Sequence, residues 1–348
     1  MEIVKPYAEL WIPKDIESHI VRCGQLCYAS EKDIANKKDW LEGKWKNGHK
    51  SIFRHGTHYF AIPVIVCTER MRAFFSINPY CGYYENKEWV FVSVNDQTYR
   101  ETKWMHHLFK YSTSEDGLKG FIENEEDSFG IIKILRRTVL VQTQISTSRE
   151  LNRTSPNNIC EQSTRYCNFT QEKFNGEVKL CQPHWLNLLA DDVDNCFINY
   201  CGIDRFYNNK IMVHNKDKKP YTTIESSSNN ILIVNNDKYS NYVYDYLDGV
   251  LYSTNKYDKL VKASMPPQDA RGELPIDTAT KVAYTYRIEE WKHILDLRYY
   301  GTTGKPHPNA RIAANNIRNA INPSLPKFED ACWSEPYFPE DYLSTLTL

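Results

Sequence analysis

The chain has 348 residues, 41% of them hydrophobic and 25% charged; this is the balance of a globular protein with room for one large domain or two small ones. Its 43 basic and 44 acidic side chains leave a formal charge of −1, so no overall positive field is present to hold a nucleic-acid backbone. No apolar run approaches a membrane span, and the opening MEIVKPYAELWIPKD lacks the apolar core of a secretory signal, so the expected location is cytoplasmic.

Residues 15–46 read as helical, with Cys23, Cys27 and Tyr28 on one face and Trp40, Leu41 and Trp45 further on. HKSIFRHGTHYFAIP, 49–63, reads as a helix end, a turn at Gly56 and a strand with apolar residues on both faces. KEWVFVSV, 87–94, reads as another strand, and 131–146 as a helix or a strand. A polar excursion over 207–240 contains a strand candidate, ILIVNN, and 240–262 sets Val243, Tyr246, Leu247, Val250 and Leu251 at helical spacing. The best helical pattern covers 279–300, where Ile288, Trp291, Leu295 and Arg298 share a stripe. An arginine ending such a stripe is either a snorkelling cation at a helix C-terminus or a side chain aimed at a phosphate or an anionic ring. Pro308 opens a further helix with the stripe Ala310, Ala313, Ile317 and Ala320. The tail beyond Pro323, rich in prolines and aromatics, is expected to pack irregularly. From pattern alone, the class is mixed α and β.

Ten cysteines are scattered without a CxxC pair, and reduced, half-buried thiols are the expectation. His49, His55 and His58 fall within ten residues, but a helix end and a turn separate them and no carboxylate joins at ligand spacing, so no metal is expected. The run Glu161-Gln162-Ser163-Thr164-Arg165-Tyr166 carries more promise. Short hydroxyls beside a planar guanidinium suit a phosphate, and the Glu and Gln suit sugar or base edges. The competing reading is a capping turn built on Ser163 and Thr164.

Residues 148–169, SRELNRTSPNNICEQSTRYCNF, resemble the signature segment of the flavin-dependent thymidylate synthases. That family shows Arg-His-Arg, seven residues, then a Ser followed shortly by Arg-Tyr. EQSTRY keeps the second half, whereas the first half reads Arg153-Thr154-Ser155. Three further blocks follow the family in order. GHKSIFRH resembles its Gly-His-Glu-Ser…Glu-His element, ARGELP at 270–275 its Ala-Arg-x-x-Leu-Pro, and TATKVAYTYRIEEWKHILDLR its strand-to-helix element. The matches cover 20–63, 145–169 and 268–320. The resemblance implies a single catalytic domain over 1–322 with insertions at about 67–136 and 205–240, followed by a tail, 323–348.

The implied fold is α/β (α+β), a central and mostly antiparallel sheet with helices. The implied reaction converts dUMP to dTMP, with the methylene from methylenetetrahydrofolate and FAD reduced by NADPH, in a homotetramer. By the match, Glu161, Gln162, Ser163, Thr164, Arg165, Arg271 and Arg298 hold dUMP. Arg153, Ser163 and His55 are the implied catalytic residues, and His55, Arg153, Thr154, Ser155, Arg287 and His293 line FAD. For Arg271 the plain alternative is a surface arginine at a loop–strand junction. The departures cluster on the flavin side. Thr154 replaces a histidine, Ser155 an arginine, Arg54 an acid and Arg287 an asparagine, and Pro156 restricts Ser155 to extended geometry. A kept nucleotide half beside a changed cofactor half leaves two alternatives open: a related pyrimidine-nucleotide enzyme such as a folate-dependent hydroxymethylase, or a non-catalytic nucleotide-binding homologue.

Overall fold

Strand Arg136–Gln144, RRTVLVQTQ, is buried at every one of its nine positions. Its β-branched residues Thr138, Val139, Val141 and Thr143 favour a pleated strand, and burial on both faces explains the lack of clean alternation. The computed structural model describes every residue except 31–32, 155–157, 172–173, 175, 187, 189–194, 202–209, 216–219, 226–230, 235–236, 326–336 and 341–348. The chain divides into two compact units. The first comprises Met1–Tyr7, Gln142–Arg149 and Gln162–Lys281, and the second Ala8–Val141, Glu150–Glu161 and Val282–Leu348.

The first unit carries a five-stranded sheet in the order Pro220–Glu225, Lys210–His214, Asn195–Cys201, Glu2–Val4, Lys179–Cys181. All its pairs are antiparallel except the last, Glu2–Val4 with Lys179–Cys181. The expected helix forms as Asn241–Lys262. Its Val243, Leu247, Val250 and Leu251 pack on Ile3, Leu180, Ile198, Ile211 and Val213, a seam at i, i+4, i+7 and i+8. Tyr246 packs at the edge of that cluster, and its hydroxyl donates to Asp277 Oδ2 at 2.8 Å. The expected strand ILIV forms as Ile231–Val234, in a hairpin with Asp237–Ser240.

The second unit carries two sheets. One runs in the order Tyr7–Trp11, Arg136–Gln144, Ala279–Arg287, Ile159–Glu161, the other Cys81–Glu85, Trp89–Asn95, Thr57–Pro63, Ser112–Thr113. The core joins Val139, Val141, Val282, Tyr284 and Tyr286 of the first sheet to Ile288, Trp291 and Leu295 of the adjoining helix, and to Ala313, Ile317 and Ile321 of helix Pro308–Ile321. Arg137 is held in this core by a two-pronged ion pair, its Nη1 and Nη2 each 2.7 Å from the Glu115 carboxylate. The mixed class with antiparallel sheets agrees with expectation. So does the 49–63 element, a 3-10 turn Lys50–His55, then Gly56, then strand Thr57–Pro63. Gly56 is required by crowding, because a Cβ there would lie 2.7 Å from Ile20 Cδ1 and 2.8 Å from Asp96 Cβ.

Three expectations are corrected. Residues 15–46 form two helices, Ile16–Leu26 and Lys37–Lys46, each with its own cap: Asp15 accepts from Ser18 N and Asn36 from Asp39 N. The ambiguous 131–146 stretch contains both elements, the end of helix Glu125–Ile134 and then the buried strand. The helix read over 279–300 begins only at Ile288. Ala279–Arg287 is a strand, with Val282, Ala283, Tyr284, Thr285 and Tyr286 buried in succession and so on both faces. The Glu290 carboxylate accepts from Arg287 N at 2.7 Å and so sets the helix start. After Leu295 the chain widens into a π-helical turn, Asp296–Tyr300, ended by Gly301 at φ 77°.

Gly130 gives a stability prediction. A Cβ there would fall 2.2 Å from the Tyr84 ring, and that ring is anchored by its hydroxyl donating to Asp127 Oδ1 at 2.9 Å. Gly130→Ala is expected to destabilise the fold by about 1–3 kcal/mol through overpacking. Urea unfolding checks this: an unchanged midpoint would show that the ring has room to move.

Candidate functional site

In the first unit the chain leaves strand pairing at Gln162, whose N donates to Lys281 O at 2.9 Å. Ser163 then closes a turn on itself. Its carbonyl accepts from Cys167 N at 3.0 Å and its Oγ from Arg165 N at 3.2 Å. The capping role read for Ser163 is therefore real, and its effect is to display Arg165 and Tyr166. Both are exposed, with the guanidinium 5.4 Å from the ring centroid. Arg271, in the 3-10 turn Arg271–Glu273, donates from Nη1 to Thr164 Oγ1 at 3.4 Å. Two blocks that lie 107 residues apart in sequence thus meet through one hydroxyl. Neither Arg165 nor Arg271 has a carboxylate partner among the described residues. Two open guanidinium forks beside Thr164 make a surface suited to a phosphate.

In the second unit Glu161 and Arg298 both join the signature segment. Asn152 Nδ2 donates to Glu161 Oε2 at 3.4 Å, and Asn152 Oδ1 accepts from Tyr284 Oη at 2.8 Å. Arg298 Nη2 donates to Glu150 O at 3.0 Å, while its Nε is buried without a partner among the described residues. Arg153 is exposed in the turn after helix Ile145–Asn152. Thr154 Oγ1 donates to Leu151 O at 2.7 Å. Ser155 lies outside the described residues. Asn158, which sequence reasoning passed over, is fully buried. Its side-chain amide has no partner among the described residues, and its carbonyl accepts from Thr285 N at 3.1 Å.

His55 is enclosed, at 1% exposure. Its Nδ1 shares a hydrogen bond with Thr285 Oγ1 at 2.7 Å, and its Nε2 has no partner among the described residues. His58 turns elsewhere, to Asp96 Oδ1 at 2.8 Å. Arg54, the charge-reversed neighbour, donates from Nε to Gln97 Oε1 at 2.8 Å. Arg287 is tied to Glu289 and, at 3.2 Å, to Glu290. His293 is exposed on its helix. Of the residues read for FAD, then, Arg153 and His293 are open, while His55, Thr154 and Arg287 are engaged inside the unit. The open guanidinium of Arg153 is the member of this set suited to a flavin phosphate.

A family model described as "Thymidylate synthase complementing protein" matches residues 81–327. The chain belongs to this family. The matched range includes EQSTRY, ARGELP and the strand-to-helix element, and it begins after GHKSIFRH. No curated protein sequence matches the chain. Among solved structures, the chain is similar to the UMP/dUMP methylase PolB from Streptomyces cacaoi bound with 5-Br dUMP, at 14% identity and TM-score 0.37 over 93% of each chain. It is similar also to the same enzyme bound with 5-Br UMP, at 12% identity and TM-score 0.37 over 93% of this chain and 92% of that one. At these values the likeness carries nothing about substrate. Family membership agrees with the resemblance read from the four blocks. No helix among the described residues is long and apolar enough to cross a membrane.

Burial pushes His55 down to about 3 and His19, in the same unit, down to about 4, from an ordinary 6.5. His19, Arg136 and Arg54 around His55, and Arg22 and Arg136 around His19, add to the effect by disfavouring a further positive charge. Below 6.5 the unfolded chain binds protons that the folded chain refuses. This part of the stability is whole above that value and is lost as pH falls towards 4 and then 3. Between about pH 7 and pH 5, His55→Gln should therefore show a shallower loss of stability than the parent, by up to about 1.4 kcal/mol per pH unit. Parallel urea titrations check this, and equal slopes would mean that His55 titrates normally.

Proposed function

We propose that the protein modifies a pyrimidine deoxynucleotide, and that its reaction is the reductive methylation of dUMP to dTMP with methylenetetrahydrofolate, FAD and NADPH. Family membership supports the reaction class. The observation that carries the nucleotide half is the meeting of Thr164 with Arg271 beside Arg165. On this reading the two guanidiniums take the 5′-phosphate, Glu161 and Gln162 face sugar or base, and Ser163 shapes the turn that presents Arg165. Arg298, bonded to Glu150 O, orders the segment that carries Arg153. We take the active form to be a homotetramer and 67–136 and 205–240 to be insertions in a single catalytic domain spanning 1–322.

FAD supplies the redox and carbon-relay chemistry when bound in this family. The engagement of His55, Thr154 and Arg287 inside their unit argues for a second reading of the cofactor half, in which the nucleotide pocket serves a related pyrimidine-nucleotide enzyme with altered cofactor use. The visible spectrum of the purified protein, before and after adding FAD and dUMP, separates the two. A bound oxidised-flavin spectrum supports thymidylate synthesis, and dUMP binding without flavin supports the altered enzyme.

Arg165→Ala and Arg271→Ala test the shared part. A charged hydrogen bond to phosphate contributes about 1.5–3 kcal/mol, so each change should weaken dUMP binding by roughly 10- to 150-fold. Calorimetry reads the affinity. Unchanged binding by both variants would remove the nucleotide assignment.

A further inference from the structure

Four buried side chains of the second unit form an unbroken row. His19 Nε2 shares a hydrogen bond with Thr138 Oγ1 at 2.8 Å, Thr138 Oγ1 with Thr285 Oγ1 at 2.6 Å, and Thr285 Oγ1 with His55 Nδ1 at 2.7 Å. The exposures run 4%, 3%, 1% and 1% from His19 to His55. Thr138 and Thr285 stand on neighbouring strands, Arg136–Gln144 and Ala279–Arg287. His19 comes from helix Ile16–Leu26, and His55 from the 3-10 turn ahead of strand Thr57–Pro63. Neither threonine hydroxyl has another hydrogen-bond partner among the described residues.

Proton counting restricts this row. Three hydrogen bonds need three protons, and the two hydroxyls provide two. One imidazole nitrogen at an end must supply the third, and the other end must accept. If both ends donated, one hydroxyl proton would be left buried without an acceptor. If both ends accepted, the two threonine oxygens would face each other at 2.6 Å without a proton between them. Buried groups avoid both conditions.

We propose that His19, Thr138, Thr285 and His55 form one proton-ordered chain in which the two histidines always hold the same neutral tautomer, making His19, Thr138 and Thr285 positioning residues for His55. In one state His19 Nε2–H donates into the row and His55 Nδ1 accepts, so both rings carry their proton on Nε2. In the other, His55 Nδ1–H donates and His19 Nε2 accepts, so both carry it on Nδ1. The two states are alternative proton arrangements of the same four side chains, each with one proton per imidazole and per hydroxyl, and neither ring carries net charge in either. Each tautomer gives the unpartnered Nε2 of His55 a different face, donor in the first state and acceptor in the second. The chain stands without any assumption about activity; only the consequence for a nucleotide or cofactor near His55 rests on the proposed function.

Two-bond proton–nitrogen correlation spectra of the ligand-free protein, labelled with 15N-histidine at neutral pH, test this. Peaks are assigned by their loss in His19→Gln and His55→Gln. Matching tautomers at the two positions are expected. Opposite neutral tautomers, or a cationic ring at either, overturn the chain. Thr285→Val keeps the side-chain shape and removes the hydroxyl, so it should change the nitrogen shifts of both rings, 19 as well as 55, whereas Thr285→Ser should preserve the parent pattern. A Thr285→Val spectrum that leaves His19 unmoved would show the two ends to be independent. If Thr285→Val does not fold, Thr138→Val makes the same cut, and the parent tautomers already decide the matter. Failure of the protein to turn over dUMP would leave these spectra unaffected and bears only on the proposed function.

Discussion

The constraint on which the structure turns is the burial of a strand that is two-thirds polar. Arg136–Gln144 carries two arginines, two threonines and two glutamines into positions with almost no water. An unpaired polar group there costs about 1–3 kcal/mol, so partners must be brought to each. Arg136 donates from Nε to Thr57 Oγ1 at 3.1 Å and from Nη2 to Arg54 O at 2.9 Å. Arg137 meets Glu115, and Thr138 meets Thr285 and His19. Near the other end, Gln142 donates to Lys5 O at 3.0 Å and Gln144 to Gln182 O at 3.1 Å. Within each unit these polar residues thereby recruit segments distant in sequence.

The same constraint explains the state of His55. Its ring is disfavoured as a cation first by its burial and then by the neighbouring His19, Arg136 and Arg54. A histidine kept neutral there offers one donor and one acceptor, and its hydrogen-bond partner chooses which nitrogen carries the proton. Thr285 is that partner, and it comes from the strand that continues into helix Ile288–Leu295. The environment of His55 is thus coupled to the element that bears Arg287 and Arg298. Arg287 is drawn to Glu289 and Glu290 at the helix start, and Arg298 to Glu150 O from the π-helical turn. One nitrogen of Arg298 braces the segment that leads to Arg153.

Much of this was legible in the sequence, and unevenly so. The colinear blocks located the family, and EQSTRY and ARGELP located two arginines that the fold brings to one hydroxyl. Helix Asn241–Lys262 emerged from its single helical period, and strand Thr57–Pro63 from an apolar run set off by Gly56. Strand Ala279–Arg287 did not. Its run of buried residues abuts a helix with a clear stripe, and the stripe's period spreads over both when no turn residue separates them. The row from His19 to His55 was invisible for a different reason. Its members lie in four separate segments, partners standing as many as 230 positions apart, and no local spacing encodes the meeting. A weak signal was present in the threonines of RRTVLVQTQ and VAYTYR. A threonine at an inward position of a strand buried on both faces must find a partner, although sequence does not name it.

The two halves of the signature segment also differ in how they use their polar atoms. In EQSTRY the bonds of Ser163 are short-range and close a turn, which leaves Arg165 and Tyr166 turned outwards; Arg271 adds a second guanidinium without a carboxylate to neutralise it among the described residues. Around Arg153 and Thr154 the bonds point inwards, to Leu151 O and Glu150 O. A ligand phosphate displaces no ion pair at the first place, because both guanidinium forks are exposed and neither is paired with a carboxylate among the described residues. At the second place a cofactor must displace bonds that the protein makes with itself, or use the open side chains of Arg153 and His293. Phosphate binding at Arg165 and Arg271, as proposed, therefore requires little rearrangement of the described side chains, whereas a group held through His55, Thr154 and Arg287 must exchange the hydrogen bonds and ion pair that these residues make with their own unit.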